Sequence, residues 1–183
     1  MIRVLLLCAM LFQAGPQTAP KPLIDNDRVT VWDDSTPPAA QELDAVVVSL
    51  SGNAAFLPKG TTPAVEGRSI VIDLKDHPVA PVTNMTAYPL SFPRPGSKKI
   101  LENERVIVWD YTWKPGVATP MHFHDKDVVV VFLEDGDLTS TTPDGQVVAN
   151  SYAPGAVRFN PRGRIHTETL VGGKQHAIIT ELK

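Results

Sequence analysis

The chain is 183 residues long and carries 17 Lys and Arg against 20 Asp and Glu, a net charge of -3 with no long block of either sign. That length supports one substantial core or two small lobes, and the scattered, balanced charge excludes a nucleic acid as the main partner. Its 17 Pro and 12 Gly fall between Val- and Ile-rich runs, the pattern of many short strands joined by turns, so the expected class is all-β.

The first residues differ from the rest. Met1, Ile2 and Arg3 make a short basic start, and Val4 to Phe12 form an apolar run of nine residues, well short of the ~20 that span a bilayer. Small and turn-forming residues follow at Ala14, Gly15, Pro16 and Ala19. Residues 1–19 therefore read as a signal peptide, with the mature chain starting between residues 15 and 22, and the protein is expected to be secreted or periplasmic without a membrane span. The only cysteine, Cys8, lies inside this segment, so a processed chain would have no thiol for a disulfide or a nucleophile.

Beyond the leader the chain repeats itself. Leu23 to Asp33 (LIDNDRVTVWD) matches Ile100 to Asp110 (ILENERVIVWD) at an offset of 77 residues. Asp44 to Leu50 (DAVVVSL) matches Asp127 to Leu133 (DVVVVFL) at 83, and Ile70 to Lys75 (IVIDLK) matches Ile178 to Lys183 (IITELK) at 108. Such ordered self-similarity marks two copies of one unit. The growing offset means that the second copy carries inserted residues at two places, and those places hold histidines; the first copy lacks the MHFH segment. The first copy is thus expected to be structural and to pack as extra strands on the barrel of the second.

In chain order, strands are expected near residues 28–32, 45–50, 69–74, 105–113, 117–123, 127–133, 137–142, 156–160, 165–170 and 176–182, with no helix of any length. Val128 to Leu133 is apolar without alternation, as in a strand covered on both faces. Asp135-Gly136 and Asp144-Gly145 are hairpin-type turns, and Pro115-Gly116, Pro154-Gly155 and Pro161-Arg162-Gly163 punctuate the rest.

Two histidines, His122 and His124, stand two apart on an expected strand, so both rings point to one face. A third, His166, follows the turn in PRGRIH on a strand that can lie beside them. Three converging neutral imidazoles suit a first-row transition metal. His77 reads as exposed and His176 as lying at the top of the last strand, both outside this group. Arg158, Arg162 and Arg164 cluster around the turn before His166, where they could orient an anionic ligand, but read rather as solvated surface charges. No GxSxG, phosphate loop or glycosidase-like carboxylate pair is present.

The segment from Gly116 (GVATPMHFHDKDVVVVFLEDG), with His122, His124 and a later Gly136, resembles the first motif of the cupins, GxxxxxHxH followed by a Glu and a Gly. Gly155 to His166 (GAVRFNPRGRIH) resembles the second, GxxxxxPxGxxH, through Gly155, Pro161, Gly163 and His166. The resemblance covers about Gly116 to Leu170. It implies a double-stranded β-helix barrel, often a homodimer, with a divalent transition metal (Fe, Mn, Zn, Ni or Cu) on the motif histidines and a small-molecule pocket above it. Residues 23–76 would then be a degenerate N-terminal cupin-like lobe, 77–98 a Pro-rich connection and 99–183 the cupin domain.

Two positions depart from the pattern. The family's glutamate ligand falls at Val128 or Val129, the spacing to Gly136 favouring Val129, and the asparagine that often closes the second motif is Leu170. Cupins similar to this arrangement, such as the thiol dioxygenases and a diketone-cleaving dioxygenase, use three histidines without the carboxylate. Asp127 lies one residue from the vacant position. Glu168, two residues after His166 and on its face of the strand, is the better substitute ligand or catalytic base. The resemblance implies a metal-dependent, dioxygenase-type oxidoreductase acting on a small anionic or chelating substrate, since three neutral ligands leave the ion's charge unbalanced. The competing expectation is a non-catalytic module that binds or stores a small molecule on the same barrel.

Overall fold

The computed structural model describes residues 21–34, 42–62 and 67–183; the signal peptide expected at 1–19 lies outside the described residues. Among these there are fourteen strands and no helix. Strands β1 (Ile24–Asp25), β2 (Val29–Asp34), β3 (Asp44–Ser49), β4 (Ala54–Leu57) and β5 (Ser69–Leu74) form one antiparallel sheet in the order β1-β2-β5-β3-β4. A second five-stranded sheet, β12-β9-β14-β7-β6, is built from β6 (Lys98–Glu102), β7 (Val106–Thr112), β9 (Asp127–Phe132), β12 (Val157–Asn160) and β14 (His176–Leu182). The third, β11-β10-β13-β8, is four-stranded and contains β8 (His122–Phe123), β10 (Gly136–Thr141), β11 (Val147–Tyr152) and β13 (Ile165–Gly173). The second and third sheets face each other as a double-stranded β-helix.

The sequence repeat is a structural repeat. Read from β6, the second sheet runs β6-β7-β14-β9-β12, the order of β1-β2-β5-β3-β4 in the first. Among the described residues the four-stranded sheet has no counterpart in the first copy, and its strands occupy the stretches that enlarge the offset between the copies. Local chemistry repeats as well. Asn26 Oδ1 accepts the backbone N–H groups of Arg28 and Val29, and Asn103 Oδ1 accepts those of Arg105 and Val106. Trp32 Nε1 donates to Asp73 at 2.8 Å, and Trp109 Nε1 donates to Glu181 at 2.8 Å.

The first copy does not extend the barrel edgewise. It lies face-on against the outer side of the second sheet. Alternation in the strands sends Val29, Val31, Val46, Val48, Ile70, Ile72 and Leu74 into a shared core with Val106, Val108, Val129, Val131, Ile178 and Leu182. Each buried valine contributes about 1.5 kcal/mol or more, so this layer, rather than its ion pairs, holds the copies together. The ion pairs set their register, and they are reciprocal. Arg28 binds Asp127 at 2.5 Å and the carbonyl of Lys183 at 3.1 Å; Arg105 binds Asp44 at 3.0 Å and the carbonyls of Leu74 and Lys75. Asp44 and Asp127 are equivalent positions of the repeat, as are Lys75 and Lys183, so the interface has an approximate twofold character. Asp127 is committed to this interface, where it also accepts the backbone N–H of Arg162, and it is not a substitute metal ligand.

The opposite face of the second sheet lines the barrel with Trp109, Tyr111, Trp113, Val128, Val130, Phe132, Ala177 and Ile179, packed against Leu138 and Leu170 of the third sheet. Val129 is therefore not the vacant ligand position. It faces the first copy, and Val128, the alternative of the pair, faces the barrel. Of the expected strands, residues 117–121 are not strand, although Gly116 N and Thr119 N still bond the carbonyls of Leu170 and Glu168. Strands β1, β4, β6 and β11 were not anticipated, being short or polar. Gly136 of the first motif has a steric role: a Cβ there would lie 2.4 Å from the Lys174 carbonyl oxygen.

Placing a charge at Val129 should cost about 4 kcal/mol, because it leaves an unpaired carboxylate between two apolar sheets. Val129→Glu is expected to lower the urea midpoint strongly whether or not Co(II) or Mn(II) is present. Val128→Glu should recover part of its own loss when metal is added. Equal behaviour of the two variants would contradict the facing assigned to β9.

Candidate metal centre

The histidine site is built where two short segments meet. In the β8–β13 pair His122 lies opposite His166 and Phe123 opposite Ile165. Beyond β8, His124 is tied in by its N–H to the carbonyl of Arg164 (2.9 Å) and by its carbonyl to the N–H of Gly163 (2.7 Å). Gly163 has φ of 83°, a left-handed conformation that favours glycine and lets the PRG turn close tightly enough for these bonds. The three rings are buried at 2, 3 and 0 % exposure. Their centroids are 4.6 to 5.0 Å apart. One ring nitrogen from each can be chosen so that all lie within 4.8 Å of one another, and among the described residues this is the only such cluster of three or more His, Cys, Asp or Glu.

Hydrogen bonds orient the rings. His122 Nδ1 lies 2.8 Å from the carbonyl of Pro120, which makes it the N–H donor and leaves Nε2 with a free lone pair. His166 Nδ1 lies 2.9 Å from Ser140 Oγ, and that oxygen also accepts from Arg164 Nη2 at 2.9 Å. His124 Nδ1 is buried without a partner. His124 Nε2 and His166 Nε2 approach to 2.9 Å. Two imidazole nitrogens each ~2.1 Å from one ion and at right angles to each other stand ~3.0 Å apart, so this spacing fits a bound divalent cation.

Burial keeps all three rings neutral. It pushes His122 down to about 4, helped by the positive charge of Arg94. It pushes His166 down to about 2, with His122, Arg164, Arg94 and Arg158 adding to the effect. His124 lies well below the ordinary histidine value through burial and then its two histidine neighbours. Neutral imidazoles are the form that binds metal, so the site needs no proton loss at neutral pH.

Charged groups surround the rings. Glu168 shares the face of His166 as expected, but its carboxylate is outside the three-histidine cluster and instead approaches Arg94 Nη2 at 3.8 Å. Arg94 comes from the Pro-rich connection, a segment with no expected site residue. Its guanidinium carbon lies 4.0 Å from the centroid of Tyr111 and 4.6 Å from that of Phe92, and Nη1 is 3.5 Å from His122 Nε2. Two of the three arginines of the second motif are not solvated surface charges. Arg158 and Asn160 pair with Val130 and Val128 and so face into the barrel. Arg158 donates to Tyr152 Oη (2.5 Å) and Asn160 Oδ1 (3.1 Å), and Arg164 donates to Asn160 and Ser140. Arg162 does lie at the surface, with Nη1 on the carbonyl of Ala80. His77 is exposed, and His176 bonds Asp110 at 2.7 Å away from the cluster. Glu181, buried and held above the usual carboxylate range by burial, also faces the barrel. Its bond to Trp109 is duplicated by Asp73 and Trp32 in the copy without the histidines, so that pair belongs to the repeat rather than to the site.

No family model matches the chain. It is 35% identical over 86 residues to the β-alanine degradation protein BauB of Pseudomonas aeruginosa, covering 45% of this chain and 87% of that protein. It is 30% identical to a cupin domain protein of Bordetella pertussis whose crystal structure aligns with 51% of this chain and 99% of its own, at a TM-score of 0.43. A cupin 2 conserved barrel domain protein from Leptotrichia buccalis aligns over 94% of this chain and 92% of its own, with 11% identity and a TM-score of 0.49. The chain belongs to the cupin superfamily.

The depressed histidine values carry a pH dependence. Unfolded histidines titrate near ~6.5, so between about pH 6.5 and the folded value of about 4 for His122 the unfolded chain takes up protons that the folded chain does not. Stability of the chelator-treated protein should therefore fall as pH drops through that window, and His166→Phe should flatten the slope. Urea midpoints at pH 7.5 and 5.0 measure this, and an identical slope in the variant would contradict it.

Proposed function

We propose that the protein is a metal-dependent cupin enzyme that binds a small anionic organic molecule beside its three-histidine centre and oxidises it in a dioxygenase-type reaction. The observation that carries the reading is the convergence of three buried, neutral imidazoles with one ring nitrogen of each within 4.8 Å of the others. A divalent metal there would be held by His122, His124 and His166, and when bound it would supply Lewis acidity and, if redox-active, a means of engaging dioxygen. The chain's own residues define the rest. Arg94, Arg158 and Arg164 bring positive charge into the barrel against Glu168 and Glu181, which favours an anionic ligand. Tyr111, Trp113 and Phe132 exclude water from one side. Glu168, half-buried on the face of His166, is positioned to hold a proton from the ligand. The relative from Pseudomonas aeruginosa is a β-alanine degradation protein, and β-alanine itself carries a carboxylate.

Metal analysis of tag-free protein should find about one transition metal ion per chain, and His124→Gln or His166→Gln should lose it. The metal-loaded protein should consume oxygen with a small carboxylate substrate. Uptake of metal without oxygen consumption by any candidate would favour the binding module instead, and no metal uptake would remove the enzyme reading.

We also propose export by the N-terminal leader. Sequencing of protein recovered outside the cytoplasm of its host should give a start between residues 15 and 22, and an intact Met1 on exported protein would contradict it.

A further inference from the structure

Arg94 is an unusual group for its surroundings. Its side chain is 5% exposed, yet its polar contacts toward the site are long: 3.5 Å to His122 Nε2 and 3.8 Å to Glu168. Nε is buried without a partner. A guanidinium has five N–H donors and no acceptor, and burying it without a close anion is costly. Such a group persists where a ligand supplies the missing acceptor.

The packing states where that acceptor would sit. The guanidinium carbon lies 4.0 Å from the Tyr111 centroid and 4.6 Å from that of Phe92, and these rings are inclined at 82° to each other, so they wall it on two sides while Nη1 and Nη2 reach toward His122 and Glu168. The His122 contact is itself provisional. Nδ1 is committed to Pro120, so Nε2 meets Arg94 through the lone pair that a metal would take, and metal binding would leave Nη1 free. A planar guanidinium held in this aromatic corner offers parallel N–H groups that match the two oxygens of a carboxylate through charge-assisted bonds.

We propose that Arg94 is the specificity-determining residue of the site and docks a carboxylate of the small molecule held at the histidine cluster. The inference rests on the reading of His122, His124 and His166 as a metal site, and it narrows the ligand from an anion in general to a carboxylate. Arg158 and Arg164 differ, since their donors are engaged by Tyr152, Asn160 and Ser140.

The test is calorimetric titration of Co(II)-loaded protein with malonate, its half-amide malonamate and uncharged malonamide, with the Co(II) absorption spectrum as a second readout. Wild type should bind malonate and malonamate. Arg94→Gln and Arg94→Met, the latter keeping the apolar stem against Tyr111, should bind both ~10- to 100-fold more weakly. Malonamide affinity should be unchanged, and Arg94→Lys should recover only part of the loss. Metal content and circular dichroism equal to wild type show that the variants are folded and loaded. Loaded variants that bind malonate as wild type does would overturn the assignment of Arg94 while leaving the metal centre standing. Wild type that takes up no cobalt would overturn the metal centre. Malonamate is then titrated into the metal-free protein, where loss in Arg94→Gln supports the carboxylate site and equal affinity overturns it.

Discussion

The structure depends on one constraint: the sheet β12-β9-β14-β7-β6 presents apolar side chains on both faces, so neither can be left to water. Val128 to Val131 show it most plainly, alternating between the barrel and the first copy without a polar residue among them. A sheet with two buried faces needs a cover on each side. The histidine-bearing sheet covers one and the first copy covers the other. The site is thus assembled on the inner wall of a layer that the first copy buries from behind, and the lobe without histidines supplies the apolar cover for the one that has them.

Electrostatics divides along the same layers. At the interface between copies, Arg28 and Arg105 are each matched by an aspartate and by backbone carbonyls of the opposite copy. Inside the barrel the arginines are matched chiefly by neutral acceptors, or by Glu168 at a distance. Paired charge sets register in the first place, and incompletely paired charge creates demand for an anion in the second. The histidines stay neutral between these cations because burial and positive neighbours act in the same direction on them.

Much of this was legible in the sequence. His122, His124 and His166 were found from their spacing and from the turn before His166, and the repeat was visible in its Asn, Arg, Trp and Asp positions. The errors share a cause, which is facing. Counting back from Gly136 favoured Val129 as the empty ligand position, whereas alternation carried on from His122 and His124 gives Val128, the residue that faces the barrel. The run Val128 to Val131 has no alternation to supply the facing independently. Arg158 and Arg164 look like surface residues by composition, and only their pairing with an inward-facing strand or their partners turns them inside. Arg94 had no periodic signal at all, lying between two prolines in a connection whose path is set by the barrel it closes.

The reciprocal Arg28–Asp127 and Arg105–Asp44 contacts give the chain the anatomy of a dimer made from one polypeptide. Residues 99–183 hold the two signature motifs and the three histidines, yet by themselves they would expose the row Val106, Val108, Val129, Val131 and Ile178. A single-copy chain would have to bury that row against a second molecule, at the mercy of concentration. Here the tether supplies the second surface at a fixed high local concentration. Among its described residues the first copy consists of one sheet, whose inward face is the surface that the tether delivers.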